Sequence, residues 1–252
     1  MANGLLMFAK YAFPPNTLQL CGPQKGDSIF EILTDKNPSD NSRELEEALL
    51  QFEGAVPYLR LIAQENNIKD IFDERVVEAY WLGNSLLNSV SAKNVYSNIE
   101  NRFKKAMNKK DWLWLVSGSM PDGKPFHGFH VFDVYRRAGL LRSGNVSRLT
   151  ETMDKCRIAW GKVESLETIS PSKTRFSFGT VLVKYNPLEF HKGKLRLGES
   201  VVQKALLLDC SIRKGDEISL HWNYICDKID DRQKNNLIYW TNYHLRLTNR
   251  TI

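Results

Sequence analysis

The spacing of apolar residues changes near Met153, and this change restricts the folds that the chain can adopt. Before that point apolar residues recur at steps of three and four, the period of an amphipathic helix. After it, short β-rich runs alternate with turn-prone Ser, Pro, Lys, Gly and Asp. The runs cover residues 157–163, 175–183, 205–208 and 217–224. The sequence therefore predicts a helical domain, a boundary between Ser147 and Met153, and then a small barrel or sandwich.

Several segments predict individual helices. The stretch 45–63 is interrupted by Gly54 and Pro57, so two helical pieces or a kink are expected. Asp73 has the side chain of an N-cap residue and precedes a second apolar-faced segment. A third helix is predicted at 94–107, where apolar residues four positions apart share one face.

Proline, glycine and helix-capping residues predict further loops and one more helix. Each proline removes a backbone donor and restricts the residue before it, so residues 11–16 and 21–23 are predicted to be ordered loops. A Gly- and Pro-rich loop is predicted at 117–128, just before an aromatic segment. Asp230 and Gln233 have the spacing of a capping box and predict a C-terminal helix.

Composition and charge argue against several classes of function. The formal net charge is +6, but acidic residues are interleaved with basic ones and no compact basic stripe is present, so nucleic acid is not expected as a partner. No apolar run approaches the ~18 residues of a membrane span, and the N-terminus lacks a secretory pattern. We therefore expect a cytoplasmic protein. The cysteines form no CxxC pair and are expected to be reduced thiols.

Two segments after the boundary combine a cysteine and a histidine with predicted strands. The first is CRIAWGKVE at 156–164, and the second is GDEISLHWNYICDKIDD at 215–231. In this order they resemble the HypC/HupF family of NiFe-hydrogenase maturation chaperones. That family begins with a cysteine and a Pro-Gly-Lys/Gln-Val turn, and carries a later Gly-Asp-aromatic-Val-Leu-Val-His segment. The whole chain is also similar to an uncharacterised prokaryotic family associated with hydrogenase gene neighbourhoods.

The resemblance covers residues 153–252 and implies both a fold and a site. Together with the helical periodicity of residues 1–152, it predicts an α+β protein in which a helical domain is followed by an OB-like β-barrel with a C-terminal helix. It also implies that Cys156 and His221 hold an iron fragment with CO and cyanide ligands. Thiolate and neutral imidazole suit Fe(II) or Zn(II). The implied partners are hydrogenase maturation proteins or the precursor of the hydrogenase large subunit.

The chain departs from the family pattern at this site. Cys156 is internal, whereas the family's cysteine is N-terminal, so no α-amino group lies beside the thiol. Trp160 replaces the proline of the turn, and an insertion around 186–201 lengthens the separation from His221. The alternative interpretation is that Cys156 is a small buried apolar residue and His221 a satisfied barrel residue.

Four further residues are candidates for an additional metal ligand. His127 and His130 would share one face of a helix but lie on opposite faces of a strand, so their use as ligands depends on local helicity. Cys21 could join them in a second site. Cys226 follows His221 closely enough to reach the same rim, although packing is the simpler interpretation. Cys210 is predicted to be a core residue.

Three polar residues near the apolar helices are candidates for acid–base chemistry. They are Glu78, Asn84 and Glu53. A buried carboxylate with a raised pKa can act as an acid or base, but solvation of these side chains, or pairing with Arg60 or Arg75, explains their presence equally well. No nucleophile elbow, phosphate-binding loop, dinucleotide fingerprint or His-Glu-x-x-His motif is present.

The sequence leaves three functions open. The first is an accessory protein that holds or delivers an iron fragment, or docks onto maturation partners, without turnover of its own. The second is an enzyme whose helical domain produces or modifies a one-carbon or diatomic ligand; a closed pocket joining His127, His130 and Cys21 to Cys156 would favour it. The third is a metal-free recognition module.

Overall fold

A computed structural model describes residues 3–34, 42–135, 146–168, 177–209 and 211–252. The helices are α1 (Asn3–Thr17), α2 (Gly26–Thr34), α3 (Ser42–Leu49), α4 (Val56–Glu65), α5 (Glu74–Trp81), α6 (Leu86–Ser89), α7 (Ala92–Phe103), α8 (Lys109–Ser117), α9 (His127–Phe129), α10 (Val146–Cys156) and α11 (Asp231–Thr248). The strands are β1 (Ala159–Thr168), β2 (Thr180–Tyr185), β3 (Leu188–His191), β4 (Lys194–Leu197), β5 (Val201–Leu207), β6 (Glu217–His221) and β7 (Tyr224–Lys228).

Five of these strands close a barrel in the order β1-β2-β5-β7-β6. The neighbours are antiparallel except for β5 and β7, which run parallel. β1 closes the barrel against β6, where Ala159 lies opposite Leu220. β3 and β4 form a separate hairpin. The predicted combination of helices, a small barrel and a C-terminal helix is thus confirmed at this level.

The pleat of β6 explains how the barrel and the helices meet. Successive side chains of a strand point to opposite faces. Ile218 and Leu220 accordingly join the barrel core, an apolar cluster inside the strands. Ser219 and His221 face the other way and are hydrogen-bonded to Tyr11 of α1. One strand therefore contributes to the interior of the barrel and to the layer between the barrel and the helices.

A second apolar cluster continues from the helices onto the outside of the barrel. Phe8 and Phe13 of α1 belong to the same cluster as Tyr224 of β7 and Trp240 of α11. The rings of Phe13 and Tyr224 meet edge to face with centroids 5.9 Å apart.

The division of the chain into domains at 152 and 153 remains a prediction. No helix within the described residues is both long enough and apolar enough to cross a lipid bilayer.

Most of the local helix predictions are confirmed. The stretch 45–63 forms two pieces, α3 and α4, with the break at Gly54. Asp73 caps α5 by accepting a hydrogen bond from the backbone N–H of Arg75. Asp230 and Gln233 form a complete capping box at the start of α11.

The prediction that residues 11–16 form a loop is wrong. α1 extends to Thr17 and contains Pro14 and Pro15 near its end. A proline inside a helix leaves the carbonyl four residues earlier without its helical donor. For Pro15 that carbonyl belongs to Tyr11, and it accepts a hydrogen bond of 2.7 Å from Nδ1 of His221 instead. A side chain from the barrel thus compensates one of the two bonds that the prolines remove.

The predicted start of the first strand is also wrong. Cys156 is the last residue of α10, and β1 begins only at Ala159. The helix persists because the backbone N–H of Arg157 still bonds to the carbonyl of Met153. The buried Arg157 side chain also pairs with Asp154, three residues earlier, at 2.9 Å. The thiol is therefore presented by a helix end.

Candidate metal centre

Three potential metal ligands from distant parts of the chain meet beside the barrel. They are His127 of α9, Cys156 at the end of α10 and His221 at the end of β6. One ligand atom from each lies within 4.8 Å of the other two. The predicted proximity of Cys156 and His221 is therefore present in the structure. His127, which was a candidate for a separate second site, belongs to this cluster instead. It lies in α9, which continues as a π-helical segment, His130–Tyr135, and not as a strand.

His221 is held in one orientation and one tautomer. The carbonyl of Tyr11 can only accept, so Nδ1 of His221 donates to it and Nε2 carries the lone pair. The side chain is buried, and Nε2 has no hydrogen-bond partner among the described residues. Burial, reinforced by the nearby His127, outweighs the opposing effect of the backbone carbonyls of Tyr11 and Cys156 and lowers the pKa of His221 to about 3. Near neutral pH this imidazole is uncharged and offers an unused donor atom.

His127 lies beside His221 but has both ring nitrogens engaged. Nε2 lies 2.8 Å from the carbonyl of Cys156 and therefore donates to it. Nδ1 then accepts from the hydroxyl of Tyr80 at 3.1 Å. Burial lowers the pKa of His127 to about 4, so this ring is also neutral. His127 fixes the backbone of Cys156, and it could bind a metal only by giving up one of these two bonds.

Cys156 is a half-buried residue with a free thiol. Burial is the main cause that raises its pKa to about 12, and Cys21 adds to the shift. The thiol is therefore protonated at neutral pH, and a metal that binds it must displace the proton. Trp222 opposes the shift, because its indole N–H faces the sulfur and favours the thiolate. That N–H makes no full hydrogen bond to any described residue.

The three residues line a small cavity of about 60 Å³ between the helices and the barrel. We call this space the chamber. A water molecule needs about 10 to 15 Å³ of such space, so the chamber admits only a compact group. Its walls are mainly apolar. The lining residues with reactive or polar side chains are Cys21, Tyr80, Trp81, His127, His130, Cys156, His221 and Trp222.

The other predicted ligands have different positions. Cys21 and His130 line the chamber, and they also border a wider outer groove of about 670 Å³. Nδ1 of His130 lies 3.1 Å from the hydroxyl of Tyr58. Cys226 is buried and does not line the chamber, since its thiol points toward the carbonyl of Tyr224. Cys210 lies outside the described residues.

The carboxylates considered for acid–base chemistry have structural positions. Glu78 binds the guanidinium of Arg232 through both oxygens, at 2.7 and 2.8 Å, and also accepts from Gln233 and Asn84. Burial opposes its ionisation, but these hydrogen bonds outweigh it and lower its pKa. The partner is thus Arg232 of α11, rather than Arg60 or Arg75. Glu53 is exposed.

Sequence reasoning missed the residues that complete the site. Tyr11 and Tyr80 orient the two histidines, while Trp81 and Trp222 form walls of the chamber. One signal was available for Tyr11. Pro15 stands four residues after it, which in a helix leaves the Tyr11 carbonyl open to another donor.

Comparison with known proteins places the chain in a family without assigning a chemistry. The chain belongs to DUF6390, a family of unknown function whose profile matches residues 1–252. No curated protein and no solved structure matches it.

Proposed function

We propose that this protein is an accessory factor in NiFe-hydrogenase maturation that holds an iron fragment between Cys156 and His221. The observation that carries the proposal is the unpartnered Nε2 of His221, in a cluster where one ligand atom of His221 lies within 4.8 Å of the Cys156 thiol. Buried polar atoms in proteins are almost always hydrogen-bonded, so such an atom needs an explanation. A metal ligand role explains both the lone pair and the neighbouring thiol.

The donor set fits an iron fragment that brings its own ligands. Fe(II) accepts thiolate and neutral imidazole, and these are the two groups that Cys156 and His221 supply. His127 remains occupied by its hydrogen bonds. Two protein donors would leave the remaining positions on the iron to small ligands such as CO and cyanide.

The barrel supports the same proposal. Counted within the barrel alone, the strands close in the order 1-2-3-5-4, and the third and fifth run parallel. This arrangement favours an OB-like barrel. In the proposal the helical domain covers the face of that barrel that carries His221. Release of the fragment then requires a partner, a maturation protein or the large-subunit precursor, that opens the cover.

The test is iron retention after anaerobic co-expression with the hydrogenase maturation proteins. Wild type is expected to retain iron with infrared bands of CO and cyanide. Cys156→Ser is expected to lose both, because a neutral hydroxyl replaces the thiolate poorly. His221→Ala should weaken retention.

Cys226→Ser is the matched control, since it alters a buried thiol that does not line the chamber. It is expected to retain iron at the wild-type level per folded protein. Equal iron in wild type and Cys156→Ser, or none in wild type with the partners present, would refute the carrier proposal and leave the recognition module or an enzyme.

An enzyme is the second candidate, and one observation favours it. The chamber joins His127, His130 and Cys21 to Cys156, so the helical side brings side chains capable of proton transfer to the site. Such an enzyme, expressed with iron but without the other maturation proteins, would generate its own CO or cyanide bands. Those bands would disappear in His130→Ala. A carrier gives no such bands under these conditions.

A further inference from the structure

Unpartnered polar atoms are concentrated around the chamber. In the part of the chain that the structure describes, five buried side-chain atoms lack a hydrogen-bond partner: Asn16 Oδ1, Trp81 Nε1, Ser119 Oγ, His221 Nε2 and Trp222 Nε1. Three of the five belong to residues that line the chamber. Because buried polar groups normally find partners, this concentration points to a ligand that supplies them.

The three unpartnered atoms require two different kinds of ligand atom. Nε2 of His221 carries a lone pair and suits a cation. The indole nitrogens of Trp81 and Trp222 are donors only, so they suit a hydrogen-bond acceptor. No single ion satisfies both. A metal ion that carries a small ligand with an acceptor atom does.

The backbone of Trp222 gives an independent indication. His221 ends β6, and the two residues of the hairpin turn, Trp222 and Asn223, have φ of 50° and 63°. Such turns favour Asn and Gly, and a bulky residue with positive φ is unusual. Strained positions of this kind cluster at functional sites. The turn itself does not require a tryptophan, whereas a chamber wall with a donor does.

We infer that Trp81 and Trp222 form an anion-accepting half of the chamber, where their indole N–H groups donate to a small acceptor ligand carried by the metal at Cys156 and His221. The inference rests on the proposed function for the position of the metal. The chamber volume of about 60 Å³ restricts the ligand to a compact one. The ligand class is an anion of a few atoms with a terminal acceptor, such as cyanide or azide.

The absence of charge in the chamber lining favours an anion that is paired with a metal. This lining contains no carboxylate, lysine or arginine side chain. His127 and His221 are neutral near pH 7. An isolated anion would therefore be buried without a counter-charge, which is costly. On a metal ion the same anion is neutralised, and the two indoles need only to bind its outer end.

The test measures azide binding to the full chain loaded with Co(II), an ion that has visible absorption bands and takes thiolate and imidazole ligands. Wild type is expected to bind Co(II) and then azide. Trp81→Phe and Trp222→Phe are each expected to weaken azide binding about tenfold, the effect of one hydrogen bond to a charged acceptor. Trp81→Phe should leave the affinity for Co(II) alone within about twofold of wild type, because that indole is not among the proposed metal ligands. Trp222→Phe should also weaken Co(II) binding, since its N–H favours the Cys156 thiolate, so azide affinity is measured at saturating Co(II).

Trp240→Phe is the control, because that indole is buried outside the chamber, and it should leave azide binding unchanged. Wild-type azide affinity in both folded Trp81→Phe and folded Trp222→Phe would overturn the inference and show that water satisfies the indoles. If wild type binds no Co(II), azide is added to the metal-free protein. Binding that depends on the tryptophans would retain the anion site and reject the metal site, while no binding would reject both.

Discussion

The barrel core and the chamber are both buried, but they are filled in different ways. The barrel core contains apolar side chains from alternate strand positions, such as Val181 and Val183 of β2. The chamber, against the outer face of β6, combines histidines, thiols and indoles, and three of their polar atoms have no partner among the described residues. Packing alone accounts for the barrel core. It does not account for the chamber, where buried polar atoms lack hydrogen-bond partners. Departures of this kind from the usual rules of packing are expected at functional sites.

Two buried histidines show the same contrast. His244 of α11 donates from Nδ1 to the carbonyl of Trp240 and accepts at Nε2 from the backbone N–H of Lys124. His221 has a comparable bond at Nδ1 but none at Nε2. Burial lowers the pKa of both to about 3. Their electrostatic contributions to folding are therefore similar, and only His221 retains an unused lone pair.

The largest expected effect is on acid stability, and it tests whether the two histidines are equivalent in folding. A lowered pKa means that the unfolded chain takes up a proton below about pH 6.5 while the folded chain does not until about pH 3. The stabilisation is therefore complete above pH 6.5 and is lost as the pH falls. We expect the free energy of unfolding to decrease by about 1.4 kcal/mol per pH unit for each such histidine.

Urea unfolding between about pH 4 and pH 6.5 measures this slope. His221→Gln and His244→Gln should each reduce it by the contribution of one proton. His191→Gln makes the same substitution at an exposed histidine and is the control for the substitution itself. A slope that is the same in His221→Gln and wild type would mean that His221 is accessible to protons in the folded protein, and the chamber would not be closed.

The second prediction concerns the barrel core. Ile218 is buried inside the barrel, three residues before His221 on the same strand. Ile218→Ala should reduce the free energy of unfolding by about 2 to 5 kcal/mol, because it removes packed methyl groups and leaves a cavity. Bound metal per folded protein should not change, since the side chain points away from the chamber. Urea unfolding and metal analysis of the folded fraction check the two parts, and a loss of metal would show that the two regions are coupled.

The same contrast explains how far the sequence could predict the molecule. Regular elements with local signals, such as the capping box of Asp230 and the break at Gly54, were predictable because neighbouring residues determine them. The pairing of Cys156 with His221 was predicted from the resemblance of two segments to motifs of the HypC/HupF family. The use of His127 as a metal ligand depended on whether the local backbone is helical. The spacing between His127 and His130 alone could not decide that.

The remaining part of the site depends on contacts between distant residues. The bond between His221 and the Tyr11 carbonyl joins positions 210 residues apart. Nothing local at His221 predicts that partner, and Pro14 and Pro15 were interpreted as helix breakers because their compensation comes from another part of the chain. The chamber likewise forms only where the end of α10, the β6–β7 turn and α5 meet.

The smallest expected effect is on the stability of Trp222→Phe, and it separates the chamber from the barrel core most directly. The substitution removes an indole N–H that has no partner in the described residues and keeps an aromatic ring in the half-buried wall. Removing an unsatisfied donor offsets the lost contact area, so the free energy of unfolding should change by less than about 0.5 kcal/mol. Urea unfolding of the metal-free protein measures it. A loss of several kcal/mol would instead identify Trp222 as a packing residue comparable with Ile218, and the chamber would then be an imperfect extension of the core.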